Sequence, residues 1–241
     1  MRSLLTLACA LFLFTTTSNA QDVSVDEIVD TYFENIGGKD AWRDIKSMKM
    51  TGEGVQMGMK FPVTMINKEP NLTRLDVSVQ GMTLTQAFDG DVSWGTNPFA
   101  GQTEPTKLSD EESAEAAKEN FQDDLLDYKE KGYTLTMEGK DEYEGSEVYK
   151  LKLTREDGDE RIYFFDTELY IPIAMRMTVQ SGQMKGQVID AVSSDFQEVD
   201  GVMVPFSFIQ KVGGQTMLEF IASEVELNAP IADEEFAFPG N

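Results

Sequence analysis

The chain contains no histidine, and its single cysteine is Cys9. The usual general base, the common imidazole metal ligand and a thiol nucleophile are thus missing from everything after residue 9. No disulfide framework is available, so the fold has to rest on an ordinary apolar core. Apart from the first residues, no apolar run is long enough to span a bilayer. Basic residues are also scarce, 20 against 43 acidic ones, for a formal charge of −23. Such a balance excludes nucleic acid as a partner and argues against electrostatic docking on anionic lipid. Solubility, or life in a salty medium, accounts for it.

Residues 1–20, MRSLLTLACALFLFTTTSNA, have the form of a secretory leader: Arg2, an apolar run from Leu4 to Phe14, then the small residues Ser18-Asn19-Ala20. A cut after Ala20 is expected. It removes one base and no acid, so the charge moves to −24. Residues 22–241 read as a single domain without linkers or low-complexity tracts.

Two helical segments stand out. Ser24 with Glu27 three residues on is a capping box, and Ile28, Val29, Tyr32, Phe33 and Ile36 then fall on one face before Gly37-Gly38 ends the run. Ser109 with Glu112 starts a second helix, expected to run to Lys131 and stop at Gly132, with a thin apolar stripe through Phe121 and Leu125. The remainder reads as about twelve strands, spaced roughly ten residues apart and punctuated by Gln80-Gly81, Asp89-Gly90, Glu144-Gly145, Asp157-Gly158, Ser181-Gly182, Asp200-Gly201 and Gly213-Gly214. Tight turns at that spacing predict a mainly β fold, one long curled antiparallel sheet with a few helices.

The stretch MGMKFPVTMIN, 57–67, alternates Met57, Met59, Phe61, Val63 and Met65 with more polar positions, the pattern of a half-buried strand. Its Pro62 cannot donate to a ladder and belongs at an edge or a bulge. Of the 13 methionines, six form pairs two residues apart: Met48/Met50, Met57/Met59 and Met175/Met177. Methionine is unbranched and adapts its shape, so a wall of it accommodates flexible apolar guests where a β-branched wall specifies one shape. The reading is a hydrophobic ligand cavity lined by Met48, Met50, Met57, Met59, Phe61, Val63, Met65, Ile173, Met175, Met177, Phe206 and Phe208, with Phe121 and Leu125 on a covering lid helix. Methionine as plain core filler is the alternative. Asp89-Gly90-Asp91 and Asp157-Gly158-Asp159 are ordinary turns rather than calcium loops, and no metal, cofactor or catalytic residue is expected.

Four stretches carry a resemblance: IGGKDAWRDIKSMKMTGEG near the start, AFDGDVSWGTNP, DFQEVDGVMVPFSF, and the terminal EVELNAPIADEEFAFP. In order and spacing they resemble the periplasmic LolA-like outer-membrane lipoprotein-sorting family, in its Bacteroidetes-type branch. The resemblance implies an unclosed β-barrel capped by helices, whose apolar hollow holds the acyl chains of a lipoprotein in transit. It also implies an inner-membrane loading complex and an outer-membrane acceptor as partners, a periplasmic location and a monomer. The family's lid-locking arginine has no single counterpart among Arg43, Arg74, Arg155, Arg161 and Arg176. The same type of fold serves envelope sensors that bind a protein partner, which remains the second reading. An enzyme acting on lipid or glycan is the third.

Overall fold

Thirteen strands form one sheet in the computed structural model, which describes residues 23–240. The leader with Arg2 and Cys9, and its cleavage point, lie outside the described residues. The strands are β1 Ser47–Gln56, β2 Met59–Lys68, β3 Leu72–Val79, β4 Met82–Phe88, β5 Ser93–Asn97, β6 Gln102–Lys107, β7 Thr134–Tyr143, β8 Ser146–Thr154, β9 Glu160–Asp166, β10 Pro172–Thr178, β11 Val188–Val199, β12 Val202–Val212 and β13 Gln215–Leu227. Among the described residues three α-helices accompany them: α1 Val25–Asn35, α2 Lys39–Arg43 and α3 Asp110–Lys118. The order across the sheet is β6-β5-β4-β3-β2-β1-β13-β12-β11-β10-β9-β8-β7. Every pairing is antiparallel, and β6 and β7 are edges that do not pair with each other. This is the mainly β antiparallel architecture the turn spacing predicts, left unclosed as the resemblance implies.

The hairpins follow from local chemistry. Gln80-Gly81 and Asp200-Gly201 both carry positive φ at the two central positions, as the twist-matching two-residue turns require. Met57-Gly58 is another such turn, with φ of 50° and 79°. The strand expected from residue 57 therefore begins at Met59. Pro62 sits where pairing with β3 ends: the β2–β3 ladder runs only from Lys68↔Leu72 to Val63↔Val77, although β3 and β4 continue to Val79 and Met82.

Two elements depart from the expected pattern. QTEPTK, too polar to read as a strand, forms β6 as the last ribbon beside β5. The tight turn expected at Ser181-Gly182 is instead a longer loop closed by Gly186 N–H on the Val179 carbonyl (2.8 Å), and β11 runs from Val188 to Val199.

The core fills part of the concave face. α1, capped by Ser24 accepting from Glu27 N–H at 3.1 Å, lays Ile28, Val29, Phe33 and Ile36 against Leu151, Leu153 and Phe165. Beyond it, Met50, Phe61, Val63, Phe206 and Phe220 pack together beneath Trp42 and Phe121. There the Phe61 ring lies over Gly54, where an added Cβ would meet it at 2.3 Å. On the convex face the C-terminal segment packs Phe236 against Ile66 and Leu72, and Trp94 donates to the Phe236 carbonyl at 2.7 Å.

Candidate functional site: an open hollow between the sheet edges

α3 stands where the two halves of the curled sheet face each other. Its start is held by a complete capping box, Ser109 accepting from Glu112 N–H and Glu112 accepting from Ser109 N–H. Ser113 Oγ accepts from Ser93 N–H at 3.0 Å, tying the helix to β5. Beneath it lies an open hollow of about 470 Å³. Met65, Leu75 and Phe88 line one wall, Met177 and Val179 the other, and Glu112, Ala116 and Glu119 close the top. This volume falls in the range of small-molecule sites.

Charge enters the hollow from β9. Arg161 shares the inward register of Tyr163 and Phe165, and so points toward the cavity that Met177 also lines. It meets Arg155 and two acids there. Asp124 accepts from Arg155 Nη2 at 2.8 Å and makes an ion pair with Arg161 Nη1 at the same distance, and Glu119 accepts from Arg155 at 3.1 Å and Arg161 at 2.7 Å. The side chains of Asp124, Arg155 and Arg161 are only 3%, 5% and 10% exposed, whereas Glu119 is about half exposed at 49%. Arg161 Nε is a buried polar atom without a hydrogen-bond partner among the described residues. Partial burial pushes the Glu119 carboxyl up, but the charges and hydrogen bonds of Arg161 and Arg155 outweigh it and hold the group below its ordinary value.

Glu119 caps the C-terminus of α3, so this ion pair tethers the helix to β8 and β9. A depressed carboxylate contributes stability that is complete above its unfolded pKa and is lost as pH falls through the folded one. The difference in Tm between the wild type and Glu119→Gln should therefore be full at neutral pH and close below the ordinary glutamate value of 4.5. A gap that persists unchanged into acid would show that the tether carries no ionic component.

The twelve residues expected to line a cavity divide into several groups. Met65 and Met177 line the hollow. Met48, Met50, Phe61, Val63, Phe206 and Phe208 pack with one another beside it, Phe208 stacked on Phe220 at 6.1 Å between ring centroids. Met175 packs against the α1 core. Ile173 sits with Val148, Phe164 and Ala174 in a separate cluster, because a register shift between Pro172 and Ala174 changes its side of the sheet. Met57 and Met59 stand in solvent, 95% and 62% exposed, at the turn and first residue of the hairpin. The expected inward face starts only at Phe61.

The covering helix is also shorter than its composition predicts. α3 ends at Lys118, and residues 119–132 form turns, with Asp127 in the left-handed region at φ 54°. Leu125 is fully buried in the α1 core rather than on a movable stripe, while Phe121 packs over the Phe61 cluster. Sequence reasoning missed the buried ion group. Its signal was present: an arginine in alternation with two aromatic residues, ERIYFFD, is a charge on an inward face. Asp89 behaves as an ordinary turn residue, its Oδ1 accepting from Asp91 N–H at 3.0 Å and Val92 N–H at 2.7 Å.

No family model and no curated protein matches the chain. Solved structures do. A LolA superfamily protein from Nitrosomonas europaea superposes with a TM-score of 0.54 at 14% identity, over 89% of this chain and 98% of that one. An outer-membrane lipoprotein-sorting protein domain from Vibrio parahaemolyticus gives 0.54 at 12% identity, over 87% and 94%. A DUF1329 family protein from Desulfovibrio piger gives 0.56 at 12% identity, over 88% and 97%. At these identities the likeness is one of fold. The chain is thus an unclosed antiparallel barrel of the LolA type, with its open hollow under α3 and a buried arginine–carboxylate group in the wall.

Proposed function

We propose that this protein is a periplasmic carrier or chaperone that binds the acyl chains of lipoproteins, or a related lipid, by reversible burial in the hollow under α3, without chemistry of its own. The observation that carries the reading is the hollow itself: an open space walled by Met65, Leu75, Phe88, Met177 and Val179, in a fold shared with a lipoprotein-sorting domain. Each methylene sheltered from water contributes roughly 0.8 kcal/mol. Affinity for a long chain therefore needs no strong polar hook, and release is not slowed by one. Cleavage after Ala20 would deliver the domain to the periplasm, where an inner-membrane loading complex and an outer-membrane acceptor would be its partners. α3 serves as the cover, and its ionic tether sets how readily it opens.

Native mass spectrometry of the purified protein should show co-purified lipid or lipopeptide. A clean apo mass together with a specific envelope-protein partner would instead favour the sensor or scaffold role. Met65→Asp or Met177→Asp should weaken binding of a fluorescent fatty acid by on the order of tenfold or more, since either places an unpaired carboxylate against the apolar chain. Lys60→Asp, on the exposed tip of β2, should leave binding unchanged. Equal effects from all three would place the probe elsewhere than in the hollow.

A further inference from the structure

The acidic residues are not spread evenly over this barrel. Along one border of the sheet from β6 to β10 the turns are β5–β6, β3–β4, β1–β2, β12–β13 and β10–β11, in that spatial order. The stretches that contain them, 92–103, 77–88, 54–68, 201–218 and 177–189, hold no aspartate or glutamate at all, in a chain with 43 of them. Acids resume at the next turn, β8–β9, with Glu156, Asp157 and Asp159. Turns on the opposite border are acidic: Asp89 and Asp91, Asp166 and Glu168, Asp200.

The same border bears most of the exposed large apolar side chains among the described residues. Met57, Met82, Phe99, Val188 and Met217 are all exposed, each at or beside a different one of the five turns, and Met59 adds a second to the β1–β2 tip. Because the β2–β3 ladder stops next to Pro62, the β1–β2 tip projects without lateral pairing to β3. The lysines near the tips, Lys60, Lys185 and Lys211, are each paired with a glutamate from outside these stretches, Glu53, Glu111 and Glu144.

We propose that this rim docks the protein on the surface of a phospholipid bilayer, with the single apolar side chains of successive tips entering the headgroup region. A protein partner is fitted by a contiguous, shape-complementary patch. Here the apolar groups are separate points on five projecting turns, which suits a fluid interface that closes around each. The charge distribution selects the kind of bilayer. A rim without free charge meets net-neutral headgroups, while the acidic body is turned away from them. Anionic lipid repels that body, and salt screens the repulsion because the Debye length is only about 8 Å at physiological ionic strength.

Flotation with extruded phosphatidylcholine–phosphatidylethanolamine vesicles tests this. The wild type should float with neutral vesicles, float less at low salt when phosphatidylglycerol is added, and recover as salt rises. The combined variant Met57→Ser, Met82→Ser, Phe99→Ser, Met217→Ser should bind on the order of tenfold more weakly, or not at all. Leu169→Ser, an exposed apolar residue on the opposite border, should behave as the wild type. Absence of flotation by the wild type, equal flotation of the combined variant, or binding only to anionic vesicles would overturn the proposal. So would a wild-type dimer in sedimentation velocity that the combined variant dissociates, since the rim would then serve a second copy. Fluorescent fatty acid binding by the combined variant should be unchanged, which separates this result from the fate of the carrier reading.

Discussion

Asp124→Asn should lower stability by about 3–5 kcal/mol, the largest loss expected from any single polar substitution in the chain. Asp124 is the acid held deepest between Arg155 and Arg161, at 2.8 Å from each. Its replacement leaves the two buried guanidinium groups with Glu119, which is half exposed and screened by solvent, and with Asp159 at 3.7 Å from Arg161 alone. The amide also presents an N–H where an oxygen accepted before. For a domain of this size the loss corresponds to a fall in Tm of roughly 6–20 °C. Thermal denaturation followed by circular dichroism reads it directly. Replacing the group as a whole with apolar residues of similar volume should cost much less, because the main loss comes from leaving charge unpaired. An Asp124→Asn protein that melts within a degree of the wild type would mean that the arginines find other partners or water.

Such a group also bears on how the site works. It lies in the wall of the hollow and holds the end of α3, so the apolar side chains of Met65, Leu75, Phe88, Met177 and Val179 share that hollow with a charged fastening. Two of its members come from the turns after α3 and at the end of that helix, two from the β8–β9 region. Opening α3 would expose Glu119 first, since it is already half in water, and leave Asp124 with the arginines. The fixed part would thus keep the barrel wall intact while the cover moves.

Much of this architecture is legible in the amino-acid sequence, and the exceptions have physical causes. Two-residue turns such as Gln80-Gly81 and Asp200-Gly201 announce themselves because few residue pairs accept positive φ twice. Met57-Gly58 does not, since methionine rarely occupies such a position, and the alternation of 57–67 runs through it unbroken. β6 is hidden because an edge ribbon with its faces largely exposed needs no apolar alternation. The overlong helix after Ser109 arises from composition: residues 119–131 are rich in helix formers. The adjacent Leu125 and Leu126 are both fully buried, whereas a helix would turn one well away from the other, and Asp124 is drawn to the arginines. For the cavity, period-two alternation identifies which side of a strand faces inward. It does not tell whether that side is filled by another element. Here α1, with Trp42 of α2, fills part of the concave face, and only Met65 and Met177 of the expected lining reach the open part.

That division of the concave face predicts where the protein tolerates change. Phe165 is fully buried in the filled half, edge-on to Tyr32 at 5.7 Å between ring centroids and packed with Leu151, Leu153 and the α1 residues. Phe165→Ala removes a ring that α1 cannot follow inward, because the helix is also fixed through Tyr128 Oη donating to Asp26 at 2.7 Å. The loss should be about 3–5 kcal/mol, the transfer and cavity contributions together. The hollow under α3 shares no lining residue with this cluster. At a temperature where the variant remains folded, fluorescent fatty acid binding should therefore stay within about twofold of the wild type, less than half a kcal/mol in free energy. Loss of binding in a folded Phe165→Ala protein would mean that the guest lies between α1 and the sheet, and that the filled half of the barrel opens to admit it.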